Sequence, residues 1–182
     1  MKVIFRRTGE RSYAVIVQIP GREDQAMNPA PGFDPSIPHD LVHYAVEAEL
    51  QLQAGVFGRA ASGGGTFTPR GGDGTADARH RARARRKQAR REQSMAREPS
   101  NDAQLRASER LAYFSDIAWR RKQGHKPGDA YAHRPSEEPT GEEAARVERI
   151  VRRLEALAPR WRALPVGGEL TFVWPSLEPV ST

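Results

Sequence analysis

Between Thr68 and Met95 the chain carries no large apolar side chain. Such a segment cannot build a core, because burial of apolar area is what offsets the entropy of ordering a chain. The apolar residues gather on either side of it. The flanks, 1–68 and 99–174, are therefore expected to form one discontinuous domain around a shared core. Residues 69–98 then form an insert or linker, and 175–182 a loose tail. At 182 residues the chain is long enough for one such core.

The same insert holds the charge. Residues 69–98 contain ten Lys and Arg against four Asp and Glu, a surplus equal to the +6 of the whole chain. Ala and Arg both favour helix. On a helix Arg79, Arg83, Arg86, Lys87, Arg90 and Arg97 fall along one side. That stripe suits phosphates, through counterion release, and points to nucleic acid or an acidic protein as partner. No aromatic residue interleaves with it, so no stacking platform exists and specific base reading is not expected. The alternative is a solvated linker.

Periodicity assigns the flanks. Tyr13, Val15, Val17 and Ile19 alternate with Ala14, Ile16 and Gln18, the pattern of a strand over 12–19. Residues 2–7 are its hairpin partner across Thr8-Gly9-Glu10. Both faces of the second strand are apolar, so it is expected to be covered on both sides. Pro20-Gly21, Asn28-Pro29 and Pro31-Gly32 make 20–36 a loop, with Phe33 as its anchor. Ser36 is placed to cap a helix that runs to about Gln53 and stops at Gly55. The glycine-rich stretch 55–67 carries Val56, Phe57 and Phe67 and reads as an ordered loop. Its Gly58 and Gly63 have P-loop spacing, but Gly64 stands where the Lys belongs.

Beyond the insert, Ser100 or Asn101 is placed to cap a helix to about Gln123. Leu105, Leu111, Ala112, Phe114, Ala118 and Trp119 form its apolar side, and Gly124 ends it. Thr140-Gly141-Glu142-Glu143 spells a capping box for a helix striped by Val147, Ile150, Val151, Leu154 and Leu157 and bounded by Pro159. Residues 169–174 read as a last strand, with Leu170, Phe172 and Trp174 facing one way. The expected fold is α+β: a small antiparallel sheet, built from the N-terminal hairpin plus the C-terminal strand, packed against about three helices.

The first helix concentrates ionisable residues. His39, His43 and Glu47 fall four residues apart, in one strip along it. Leu41, Ala45, Ala48 and Leu52 make the buried side and Val42 and Val46 widen it. Asp40, Tyr44 and Gln51 fall on a wetter side, which puts the strip at the margin. Two neutral imidazoles one turn apart can bind a divalent metal such as zinc, with Glu47 as third ligand. An open position would remain for a water, whose pKa falls to about 7 on zinc. Without a metal, a His beside a carboxylate serves as general base. Asp40, His39 and His43 are the catalytic candidates. The architectural alternative is that the histidines hydrogen-bond loop 20–36 or 55–67 and hold the helix in place.

His39-Asp40-Leu41-Val42-His43 resembles the H-E-x-x-H helix of the zincin metalloproteases over these five residues. The resemblance implies two zinc-holding histidines and a carboxylate, here Asp40, that activates a water. Asp40 is one methylene shorter than the Glu of that motif. Glu49 projects onto the apolar side, where a carboxylate needs a partner, with Arg59, Arg6 and Arg7 as candidates, or snorkels to water near the helix end.

The chain has no cysteine, which excludes a disulfide framework, a thiol nucleophile and a thiolate zinc site, and fits the cytoplasm. Charge interrupts Met1–Arg7 after three apolar residues, unlike a signal peptide, and no 18-residue apolar run exists to span a membrane. Two readings follow. One is a cytoplasmic, metal-dependent, hydrolase-like protein. The other is a non-catalytic module that contacts nucleic acid or an acidic partner through 69–98.

Overall fold

A computed structural model describes residues 1–69, 99–124 and 135–180. Arg79, Arg83, Arg86, Lys87, Arg90 and Arg97 lie outside the described residues. The hairpin consists of β1 (Lys2–Gly9) and β2 (Ser12–Gln18). Val3 pairs with Val17 and Phe5 with Val15, which aligns their apolar sides on one face. The C-terminal strand, Glu169–Val173, adds antiparallel to β1, with Phe172 opposite Val3 and Leu170 opposite Phe5. Two short strands extend the other edge. Gln25–Met27 (β3) pairs with β2, and Thr68–Pro69 (β4) with β3. With the C-terminal strand as β5, the order is β4-β3-β2-β1-β5, antiparallel throughout. As its composition requires, β2 is buried on both faces. Tyr13, Val15 and Val17 enter the main core, and Ile16 joins Ile4 and Ala26 in a small cluster on the other face.

Four helices are described: α1 (His39–Leu50), α2 (Val56–Ala61), α3 (Pro99–Lys122) and α4 (Gly141–Arg162). One core draws on both flanks, with Val3, Phe5, Leu41 and Phe57 from the first and Leu111, Trp119, Ile150 and Phe172 from the second. Helix α1 runs through its middle. Every residue from Asp40 to Ala48 is buried, so Asp40 and Tyr44 do not face water as expected, while Gln51, just past the helix, is exposed. Tyr44 meets Phe5, Phe57 and Phe172, and its hydroxyl donates to the Ser176 carbonyl at 2.7 Å. The reason is layering: the sheet lies against one side of α1, and α3 and α4 contact it as well. Residues 175–180 turn back onto this arrangement, and Val180 N–H donates to the Thr171 carbonyl at 2.8 Å.

Several helix ends differ from expectation for tertiary reasons. Asp34, not Ser36, organises the entry to α1: its Oδ1 accepts from Ser36 N–H at 2.7 Å and Ile37 N–H at 3.1 Å. Gln51 takes the left-handed conformation, φ 51°, and Leu52 N–H donates back to the Glu47 carbonyl at 2.9 Å. This Schellman closure stops α1 before Gly55, and Gly55 becomes the N-cap of α2, which replaces the expected loop. At Thr140 the capping box does not form, because Glu143 is held by both arms of Arg110, at 2.7 and 2.9 Å. Pro159 lies inside α4 rather than beyond it. The last turn is held by Trp161, which is fully buried against Tyr13 and donates its indole N–H to the Asp34 carbonyl. Among the described residues no helix is long and apolar enough to cross a membrane.

Candidate functional site

One turn of α1 brings His39 and His43 together, as their spacing requires. Their Nε2 atoms lie 3.1 Å apart. The other nitrogen of His43, Nδ1, sits 3.3 Å from Ser108 Oγ on α3, and Ser108 in turn donates its hydroxyl to Glu47 Oε1 at 3.3 Å. The direction of this line assigns the protons. A Ser108 hydroxyl that donates to Glu47 receives from His43, so His43 carries its hydrogen on Nδ1 and turns a lone pair on Nε2 toward His39. Burial pulls the His43 pKa down to about 3, with the neighbouring His39 adding to the effect. His39 is lowered too, by burial. A base of that strength accepts a proton poorly at neutral pH, whereas neutral imidazole is the form that binds metals.

Glu47 takes a different place from the third ligand position. It is fully buried. Its Oε1 accepts from Val56 N–H at 2.7 Å and its Oε2 from Phe57 N–H at 2.8 Å, so it satisfies the first donors of α2. Gly55 makes the approach possible, since a Cβ there would overlap the carboxylate. Burial raises the Glu47 pKa to about 7, against the opposing pull of the Phe57, Val56 and Gly58 N–H groups and the Ser108 hydroxyl. Tying down the stretch after α1, which the architectural alternative gave to the histidines, is therefore the work of Glu47. His39 does meet loop 20–36, but through its backbone, whose N–H donates to the Gly32 carbonyl at 3.1 Å. Gly32, at φ +69°, lets that loop lie close: a Cβ would come within 2.6 Å of His39 Cβ.

Asp40 turns to the sheet. Its Oδ2 lies 2.6 Å from the Tyr13 hydroxyl, which is also 2.5 Å from the Pro31 carbonyl. The phenol has one proton for two acceptors. A proton on Asp40 satisfies both, and burial does raise its pKa to about 6 although the Tyr13 bond works against this. Glu49 is partnered by Arg149 at 3.3 Å and Arg153 at 3.2 Å of α4, not by the arginines proposed for it. Arg6 pairs with Glu169, Arg7 donates to the Leu164 carbonyl and Arg59 to the Ala54 carbonyl.

Two groups of residues escaped the sequence reading. Ser108 and Glu109 of α3 are the first. Glu109 Oε2 stands 3.8 Å from His43 Nε2, with its side chain 58% exposed. The signal for Ser108 was its place among Leu111, Ala112 and Trp119 on a buried face. The second is an ion cluster in which Arg120 holds both Asp116, at 2.8 Å, and Asp34, at 3.0 Å; the i,i+4 pair beside Trp119 was its sequence trace.

Of the predicted residues, then, His39 and His43 are brought side by side, Glu47 joins them only through Ser108, and Asp40 faces Tyr13. As these side chains stand, no group of three or more His, Asp or Glu is arranged to hold a metal ion among the described residues. Of the two, His39 is partly buried and His43 is buried, 4% exposed. Compared with protein-family models, with curated proteins and with solved structures, the chain finds no match in any of the three.

Proposed function

We propose that His39 and His43 hold a divalent metal such as zinc, and that the protein uses it in a hydrolase-like reaction. One observation carries this reading: the two Nε2 atoms converge to 3.1 Å. Two ligands of a tetrahedral zinc, with bonds of about 2.0–2.1 Å, are about 3.3 Å apart. The orientation of His43 adds support. A metal-binding imidazole ordinarily donates its other N–H to a fixed acceptor, and Ser108, held by Glu47, is that acceptor. A metal would replace the hydrogen bond between the rings, and His39 would then carry its proton on Nδ1. The ion itself would supply a Lewis acid and a water acidic enough to ionise near neutrality. In this reading Asp40 acts through the fold, anchoring the start of α1 to β2, and the compartment is the cytoplasm.

Protein purified without a tag or chelator is expected to carry about one metal per chain and to lose it in His43→Ala. It is also expected to cleave activated carboxylic or phosphoric esters only when loaded. Metal content well below one per chain, unchanged by His43→Ala, overturns the reading.

A second reading is carried by the charge of 69–98. We propose that this segment binds polyanions, nucleic acid or an acidic protein, by counterion release. Deletion of 70–98 is expected to abolish salt-sensitive binding to a polyanion and to leave the circular dichroism of the flanks intact. Equal binding by the deleted protein refutes it.

A further inference from the structure

We infer that Glu109 is the third protein ligand of the His39/His43 site, so that the metal is held across α1 and α3 rather than along α1 alone. The inference rests on the metal reading above and replaces Glu47, whose two oxygens already serve α2. Consecutive residues of α3 meet the two nitrogens of one imidazole. Ser108 lies at Nδ1 of His43, 3.3 Å away, and Glu109 at Nε2, 3.8 Å away. The inner residue orients the ring. The outer one sets a carboxylate beside Nε2, whose lone pair is turned toward His39.

The His43–Glu109 distance is close to that between two ligands of one ion, although the three side chains do not form a metal-holding group as they stand. Ligand atoms on zinc stand about 3.3 Å apart, so Glu109 Oε2 has to move by roughly half an ångström. Its side chain is more than half exposed, and an exposed glutamate changes rotamer freely. Among the described residues no arginine or lysine lies within ion-pair distance of Glu109, whose near neighbour is the His43 ring. This leaves one carboxylate, more than half exposed, beside the His43 ring. Two imidazoles and one carboxylate form a three-ligand set that leaves a fourth position for water or substrate.

The test is titration of the metal-free full-length protein with Zn²⁺ by calorimetry, and with Co²⁺ by visible absorption. Wild type is expected to bind one equivalent, with the Co²⁺ bands of a four-coordinate site. Glu109→Gln, at an exposed position, is expected to keep its circular dichroism and to lose at least about 100-fold in Zn²⁺ affinity, beyond what loss of an outer-sphere partner costs, with shifted Co²⁺ bands. His43→Asn, which keeps a polar group of similar size, is expected to abolish binding. If wild type binds, His43→Asn does not, and Glu109→Gln binds within about threefold of wild type, the site stands and Glu109 is not its ligand. If wild type binds neither ion, the metal reading itself falls and this inference with it.

Discussion

Gly55→Ala is expected to break the link between α1 and α2. The backbone at Gly55, φ −73° and ψ −174°, suits alanine as well as glycine, so no torsional cost enters. The cost is steric. The three atoms nearest an added Cβ are Glu47 Cδ, Oε1 and Oε2, all under 3.0 Å. The carboxylate must leave, and with it the bonds from Val56 and Phe57 N–H. A hydrogen bond to a charged acceptor contributes about 1.5–3 kcal/mol, while the alanine returns about 0.4–1 kcal/mol by restricting the unfolded chain. Allowing for partial relaxation, the net loss is about 3 kcal/mol, or about 6–12 °C in Tm for a chain of this size. Urea denaturation at pH 8, followed by circular dichroism, measures it. The decisive step is a double-mutant cycle. Glu47→Ala alone is expected to cost a similar amount, because it orphans the same two N–H groups. In that background Gly55→Ala is expected to be neutral to within about 0.5 kcal/mol, or slightly stabilising. A Gly55→Ala cost that is the same with and without Glu47 would refute the reasoning.

Three further outcomes follow from the same side chains. Glu47 has a folded pKa of about 7 against a usual 4.5, so the fold binds more protons than the unfolded chain between those values. Its contribution is fully present below about pH 4.5 and is lost as pH rises through about 7, by up to about 3 kcal/mol. Asp40, raised to about 6, acts in the same direction, and His43, lowered to about 3, in the opposite one. The Glu47 part is therefore read as a difference: Glu47→Gln should gain on wild type between pH 4.5 and 7 in urea melts at fixed ionic strength, and parallel curves count against it. Ser108→Ala removes the acceptor that sets the His43 proton and is expected to weaken Zn²⁺ binding by about 10–100-fold, at a stability cost of about 1 kcal/mol; calorimetry and melts separate the two, and unchanged affinity contradicts the orienting role. Arg120→Ala leaves Asp116, 2% exposed, without its cation and is expected to cost about 3–5 kcal/mol, with a loss under 1 kcal/mol in denaturant titration refuting the buried pairing.

Periodicity read the hairpin, the terminal strand and the long helices, because each repeats its pattern over enough residues to separate period two from period 3.6. It missed β3, β4 and α2, which span three, two and six residues. Local motifs failed where a distant partner competed. The capping box at Thr140 lost its glutamate to Arg110, 33 residues away in sequence, and Pro159 was carried inside α4 by the burial of Trp161. The proximity of His39 and His43 was legible, since one helical turn fixes it. The target of Glu47 was not, because it depends on where α1 stops, and α1 stops at a glutamine in the left-handed conformation, a residue that announces no helix end.

Architecture and chemistry were posed as alternatives for the strip on α1, and Glu47 shows why they need not compete. A buried carboxylate has two oxygens and several acceptor sites. Glu47 uses both oxygens on the backbone of α2 and a further site on Ser108. The same group therefore orders the chain after α1 and, through one hydroxyl, sets which nitrogen of His43 is protonated. Because Glu47 performs the anchoring, the imidazoles are not needed for it, and the Nε2 lone pair of His43 is left pointing at His39. Placing a neutral imidazole in the core with a fixed tautomer costs desolvation that an apolar residue would avoid. A fold that only needed α1 held in place would be as well served by a leucine at position 43, and His43→Leu should accordingly leave stability intact or raise it while removing metal binding.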